Sequence, residues 1–204
     1  MKQESTTEKI VVRIGNGDGR CWSSSDFAEF GTRLAISQAL SRLERRGELI
    51  SPLRGYYCLP RRSKLLDELL PPDYKELAFA IARHYGWQVL PCGDVLLNEL
   101  RLSTQVPVNY SFVSTGPYRD YDVDGTCIEF KHSANREMFN MSAEVATVVQ
   151  AIKTLGANGM TDVCCSRLRE AVLRIGVDRV LREARGTTSL IYEMILKLAK
   201  GEQI

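Results

Sequence analysis

The chain has no run of about 18 consecutive apolar residues, which excludes a conventional membrane-spanning helix. Met1 to Glu8 is polar and lacks the apolar centre of a secretory leader, so a cytoplasmic location is expected. Histidine is scarce: only His84 and His132 occur, and no two cysteines stand as C-x-x-C, so no zinc site is expected. The six cysteines are Cys21, Cys58, Cys92, Cys127, Cys164 and Cys165. Their even number permits disulfides, but in a chain of this length without a secretion signal free thiols are the expectation. The run Gly15-Asn16-Gly17-Asp18-Gly19 lacks the Lys-Ser/Thr that completes a phosphate loop and follows no strand, so it reads as a turn. Ser114-Thr115-Gly116-Pro117 is likewise a turn, and no G-x-S-x-G nucleophile motif occurs. Internal repeats and low-complexity segments are absent, and no cofactor is implied.

What the sequence does contain is a local excess of positive charge. The net charge is only +2, but Arg33, Arg42, Arg45, Arg46, Arg54, Arg61, Arg62 and Lys64 fall within one short stretch. Only Glu44 and Glu48 oppose these eight there, a net of +6, and the other nineteen basic and twenty-three acidic residues leave −4. A concentration of this kind is the electrostatic footprint of a polyanion-binding surface.

The same stretch has a helix, helix, hairpin order. Thr6 to Ile14 reads as a helix, Asp26 to Phe30 as a short second one capped by Ser24 or Ser25. Thr32 caps a third from Arg33 to about Arg46, with Ile36, Leu40 and Leu43 on its apolar face beside Ala39, and Gly47 ends it. Glu48 to Ser51 and Tyr56 to Leu59 then read as two strands joined through Pro52 to Gly55. This is the pattern of a winged helix-turn-helix.

Burying Ile36, Ala39, Leu40 and Leu43 leaves the opposite face of the third helix to polar groups. Arg33, Ser37, Gln38 and Ser41 are positioned to read base edges, because glutamine pairs bidentately with adenine and arginine with guanine. Arg42, Arg45 and Arg46 suit phosphate contacts, which position without specifying. Arg54, beside Gly55 at the wing tip, fits a minor-groove or backbone contact, and of Tyr56 and Tyr57 one packs inward while the other meets the sugar-phosphate. Tyr56 is assigned to the DNA surface on this reading. A winged helix used only to bind protein shows the same helix pattern without needing the basic face.

The run Arg61 to Pro72 reads as a linker holding a short amphipathic segment, Leu65-Leu66 and Leu69-Leu70, with Pro71-Pro72 at the domain boundary. A helix over Glu76 to Tyr85 ending at Gly86, a strand at Trp87 to Leu90, and a helix at Asp94 to Leu100 follow. Val106 to Val113 reads as a strand, and Tyr118 to His132 as a hairpin turning at Asp124-Gly125. The remainder is helical: Ser142 to Leu155, Thr161 to Ile175, Asp178 to Ala184 and Ser189 to Lys200. His84 reads as a helix-end cap; Trp22 and Trp87 read as core anchors. The expected fold is α+β: a winged helix over residues 6–62, then a small mixed sheet with several C-terminal helices over residues 73–204.

The segment Ser37-Gln38-Ala39-Leu40-Ser41-Arg42-Leu43-Glu44-Arg45-Arg46-Gly47-Glu48-Leu49, followed by Arg54-Gly55-Tyr56-Tyr57, resembles the winged helix of AbiEi-like antitoxins. Leu102-Ser103-Thr104-Gln105-Val106-Pro107 and Ser114-Thr115-Gly116-Pro117 extend the resemblance to roughly residues 6–200. These proteins are transcriptional regulators of bacterial abortive-infection, type IV toxin–antitoxin systems. The resemblance implies a repressor of its own operon that binds inverted repeats in double-stranded DNA, as a dimer or as cooperating monomers. It further implies a second domain that counters a nucleotidyltransferase-like toxin without binding it tightly.

One constellation offers a different chemistry. Asp120, Asp122 and Asp124 precede Glu129-Phe130-Lys131, and an aspartate followed by Glu-x-Lys is the metal-binding pattern of many restriction-type nucleases. A two-residue turn at Asp124-Gly125 places Asp120, Asp122, Glu129 and Lys131 on one face, with Tyr121, Val123, Ile128 and Phe130 on the other. Any half-exposed hairpin shows the same alternation, and the connection is shorter than in those nucleases.

Overall fold

The first helix starts are set by local hydrogen bonds. The structure, a computed structural model, describes residues 5–17, 21–63, 65, 67–133 and 140–202. Part of the expected glycine turn (Asp18 and Gly19), together with Lys64 and Leu66, lies outside the described residues. Helix α1, Thr6–Gly15, begins in a reciprocal cap: Ser5 Oγ accepts from the Glu8 N–H, and Glu8 Oε2 accepts from the Ser5 N–H at 2.7 Å. A 3-10 segment, Ser24–Phe30, starts where the Ser23 N–H donates to Asp26 at 2.9 Å, two residues earlier than the expected helix. Thr32 caps helix α2, Arg33–Arg45, by accepting from the Ala35 N–H. Beyond it Gly47 takes a positive φ of 73°, which releases the chain from the helix.

The apolar faces of these elements close one core. Ile36, Ala39, Leu40 and Leu43 of α2 are buried against Ile10 of α1 and Phe27. Each such large side chain contributes about 1.5–3 kcal/mol by leaving water. Three short antiparallel strands complete this part: β1, Cys21–Ser23; β2, Ile50–Leu53; and β3, Tyr56–Cys58, in the order β1-β3-β2. Strand β1 is absent from the sequence reading. Its register sets Cys21 opposite Cys58, with Cα atoms 4.4 Å apart, and the two form a disulfide. The expectation of six free thiols therefore fails for this pair, because nothing in the spacing of Cys21 and Cys58 shows that they are cross-strand neighbours. Cys92, Cys127, Cys164 and Cys165 are in no disulfide among the described residues.

The run read as a linker is not featureless. Strands β4, Arg61–Arg62, and β5, Leu69–Leu70, pair antiparallel, Arg61 opposite Leu70. Helix α3, Tyr74–Tyr85, follows, with Asp73 Oδ1 accepting from the Lys75 and Glu76 N–H groups and Gly86 closing it in the left-handed region. The chain divides into two compact units, Met1–Trp87 with Asp122–Gly125, and Gln88–Tyr121 with Thr126–Ile204. By its contacts α3 groups with the first unit.

Four further strands follow: β6, Val89–Cys92; β7, Tyr110–Ser114; β8, Arg119–Val123; and β9, Thr126–His132. Their order is β6-β7-β9-β8, with β6 and β7 antiparallel and β7 and β9 parallel, a mixed sheet as expected. The hairpin turn falls at Asp124 and Gly125, both at positive φ (52° and 83°), the backbone that Asp-Gly favours. Strand β7 starts four residues later than expected: Val106 and Val108 are each 81% exposed and belong to no strand, with Pro107 between them unable to donate to a ladder. Helices α4, Gly93–Glu99; α5, Ala143–Leu155; α6, Asp162–Ile175; α7, Val177–Glu183; and α8, Ser189–Lys200 supply the rest. Val149, Ile152, Leu168, Val172 and Ile195 centre their core. Among the described residues no helix is long and apolar enough to cross a membrane.

Candidate functional site

Helix α2 presents the surface that the sequence reading singled out. Arg33, Ser37, Gln38, Arg42 and Arg45 are exposed, and Ser41 is half-buried at the edge of the core face. Arg54 is exposed in the two-residue turn between Leu53 and Tyr56, where Gly55 at φ +85° allows the reversal. Arg33 and Ser37 from α2, Arg54 and Gly55 from the turn, Ser24 and Ser25 from the 3-10 segment, and His84 from α3 line one cleft of about 620 Å³.

The arginines differ in how far they are already committed. Arg42 Nη2 donates to Thr7 Oγ1 of α1 at 3.1 Å, which holds the side chain without neutralising it. Arg46, at the end of α2, is paired with Glu48 at 2.9 Å. In the following segment Arg61 pairs with Asp73 at 3.7 Å and Arg62 with Asp67 at 3.9 Å, so the basic run is partly neutralised there. Among the described residues the side chains of Arg33, Arg45 and Arg54 make neither a hydrogen bond nor an ion pair. Their charge is uncompensated.

Tyr56 is not on this surface. It is only 7% exposed and stands edge-on to the His84 ring, centroids 6.0 Å apart. Strand alternation turns it inward and leaves Tyr57, half-buried, on the cleft side. Burial, with a smaller contribution from the charge of Glu44, pushes the Tyr57 phenol above its usual range, so it is a hydrogen-bonding group at neutral pH. Alternation fixes that the two tyrosines face opposite ways but not which faces in, and Tyr56, assigned to the DNA surface, is the buried one.

His84 and Ser25 were missed as site residues. Ser25 Oγ lies 2.8 Å from His84 Nδ1 and 2.7 Å from Ser23 Oγ. His84 is therefore more than a helix-end cap: it forms a wall of the cleft. No local signal connects residues fifty-nine positions apart.

The acidic hairpin behaves as a half-exposed ribbon. Val123, Ile128 and Phe130 are buried, while Asp120, Asp122 and Lys131 are exposed, as the alternation requires. Glu129 is engaged: it accepts from Ser111 Oγ at 2.8 Å and pairs with Lys131 at 3.2 Å. Those bonds, Ser111's first, hold its carboxyl below the usual range. Among the described residues no three His, Cys, Asp or Glu side chains converge as a metal set. His132 Nδ1 donates to the Gly116 carbonyl at 2.8 Å, which fixes the loop after β7.

A model for a family of unknown function, DUF6088, matches residues 14–179, and the chain belongs to that family. No curated protein matches the chain. Among solved structures it is similar to the crystal structure of the RV2827C protein from Mycobacterium tuberculosis, with 15% identity over 99% of this chain and 80% of that one and a TM-score of 0.49.

Proposed function

We infer that this DUF6088 chain is a DNA-binding transcriptional regulator whose first unit works as a winged helix, with α2 as recognition helix and the β2–β3 hairpin as wing. The observation that carries this reading is the set of three uncompensated arginines, Arg33 and Arg45 on α2 and Arg54 at the hairpin tip. Uncompensated guanidinium groups on a convex helix and an adjacent turn are suited to phosphate oxygens and guanine edges. Arg33, Ser37 and Gln38, on the first half of α2, are the base readers, with Ser41 next along the helix. Arg42 and Arg45 clamp phosphates, Arg46 joins them by exchanging Glu48 for a phosphate, and Arg54 contacts the backbone or minor groove. The protein acts by binding rather than catalysis, in the cytoplasm, and without a cofactor.

The resemblance to AbiEi-like antitoxins supports a narrower reading: repression of its own operon through inverted repeats, and indirect opposition to a nucleotidyltransferase-like toxin. A titration of the chain against the DNA upstream of its own gene, followed by mobility shift at several salt concentrations, tests the proposal. Affinity is expected to fall steeply with salt, because each phosphate contact releases counterions. Replacing Arg33 and Arg54 together by alanine weakens it further. Absence of binding to that DNA, or binding indifferent to salt, overturns the reading.

A further inference from the structure

The second unit carries a basic cleft of its own. Arg101, at the end of α4, and Arg167 and Arg174, on α6, line it with Leu100, Leu102 and Ala171, around a volume of about 410 Å³. Glu170 is the one carboxylate in the lining. Among the described residues none of the three arginines is ion-paired, and the Arg167 guanidinium donates to the Arg101 carbonyl, which ties the two walls together.

The backbone at Arg101 gives the cleft a second, independent sign of use. The Arg101 N–H donates to the Asn98 carbonyl and the Leu102 N–H to the Leu97 carbonyl, the two bonds of a Schellman helix end. Arg101, the first residue past the helix in this arrangement, must take positive φ, here 56°, a conformation glycine adopts freely and other residues at a cost. The other described non-glycine residues at positive φ are Asp67 and Asp124, and aspartate tolerates this region through its short polar side chain. Arginine has no such compensation. An arginine held where the fold favours glycine points to a role for the side chain itself.

We propose that Arg101, Arg167 and Arg174 form a second nucleic-acid contact, binding backbone phosphates through the second unit independently of α2. Arg167 and Arg174 stand seven residues apart on one face of α6, about 10 Å along its axis. That matches the axial rise of about three nucleotides on one strand of a duplex, so the pair suits phosphates of one strand when α6 lies along the duplex axis. Guanidinium forks bind such oxygens bidentately and carry no base preference.

The test uses the full chain and a 20-base-pair duplex of arbitrary sequence. Arginines are modified with a dicarbonyl reagent, with and without DNA, and quantified by mass spectrometry. Arg101 and Arg174 are expected to be protected several-fold, while Arg179, paired with Glu144 and Glu183, is unchanged. The protection persists at low salt in a variant with Arg33, Arg45 and Arg54 replaced by alanine. The combined Arg101→Gly and Arg174→Gln variant lowers the slope of log affinity against log salt by about 2. Arg101→Gly relieves the left-handed backbone, so its thermal midpoint holds or rises and weaker binding is not unfolding. Unchanged modification of Arg101 and Arg174 at saturating DNA overturns the proposal, as does equal protection by polyglutamate, which assigns the cleft to an acidic protein. Protection of the cleft arginines without protection of Arg33 and Arg45 supports this site and sinks the proposed role of α2.

Discussion

Arg83 grips Asp26 with both prongs of its guanidinium, Nε to Oδ1 at 3.1 Å and Nη2 to Oδ2 at 2.9 Å, while Nη2 also donates to the Cys21 carbonyl at 2.9 Å. One side chain thereby fastens α3 to both β1 and the 3-10 segment, and the 3-10 segment is the floor on which α2 sits. Replacing Arg83 by alanine strips Asp26 of its two best donors and leaves the Ser23 N–H. Charge-assisted bonds contribute roughly 1.5–3 kcal/mol each when shielded, and Arg83 is well exposed, so the expected loss for the pair is about 2 kcal/mol. Chemical denaturation of the full chain, following Trp22 and Trp87 fluorescence, measures it. A loss below about 0.5 kcal/mol, the level of an ordinary surface substitution, counts against the clamp.

The same pair sets a pH dependence whose sign is fixed. Burial disfavours the charged form of Asp26, but the bonds from Arg83 and the Ser23 N–H outweigh it and hold the carboxyl below its ordinary value. A carboxyl depressed in the folded state stabilises that state above the unfolded value, about 3.9 for aspartate, and loses that contribution as pH falls through the folded value. The stability gap between the natural chain and Arg83→Ala is therefore expected to be full at pH 7 and to narrow below about pH 4. A gap that widens on acidification contradicts the assignment.

Which parts of this fold can be read from the sequence follows from the range of the interactions that build them. Ser5, Thr32, Gly47 and Gly86 act within a turn of their own helix ends, and α1, α2 and α3 accordingly match the sequence reading to within two residues. Asp124-Gly125 is equally local, and the hairpin is found where expected. Strand β1 is three residues with all side chains buried, so it has no alternation to betray it, and it exists because β3 supplies its ladder. Asp26 and Arg83 are fifty-seven residues apart, and no local pattern links them. At the candidate site, Arg33, Ser37, Gln38, Arg42 and Arg45 followed from helical periodicity alone. His84, Ser25 and the Arg101 cleft are assembled by tertiary packing.

The Cys21–Cys58 disulfide closes a loop with a sequence separation of 37, which contains α2 and most of the hairpin. Closing a loop of that length removes chain entropy from the unfolded state worth about 3–4 kcal/mol. Cys21→Ser combined with Cys58→Ser, or treatment with a dithiol reductant, is expected to lower the melting temperature of the first unit by roughly 10–20 °C or more, taking 1 kcal/mol as about 4–8 °C in a small domain. Differential scanning calorimetry under oxidising and reducing conditions tests this; identical traces show that the cross-link carries no weight.

Tyr56 and Tyr57 differ in burial: Tyr56 is buried, and Tyr57 is half-buried, packing against the first core and lining the cleft. Tyr56 fills a buried position against His84, so Tyr56→Ala is expected to destabilise the first unit by about 3–5 kcal/mol, the range for removing a large buried ring. Tyr57→Phe is expected to leave the fold intact, because the ring that packs against the core stays and only the hydroxyl is lost. Thermal melts and DNA titrations of both variants separate the two roles. Full stability in Tyr56→Ala contradicts its inward placement.

Arg45 and Arg46 are neighbours in sequence with opposite electrostatic circumstances, and this gives the sharpest test of the α2 surface. Arg45 is uncompensated, so Arg45→Ala is expected to lower the salt slope by about 1, the contribution of one phosphate contact. Arg46 must first release Glu48, at 2.9 Å, and both partners are about half exposed. Exposed pairs of this kind are worth only about 0–1 kcal/mol, so the exchange for a phosphate proceeds readily, but the glutamate charge stays close to the DNA. Glu48→Gln removes that repulsion and frees Arg46 together. It is expected to raise affinity several-fold without altering sequence preference, whereas Gln38→Ala blurs preference and leaves the salt slope unchanged. Fluorescence anisotropy with matched and scrambled duplexes at several salt concentrations reads all four quantities. If Glu48→Gln weakens binding, this end of α2 does not face phosphate.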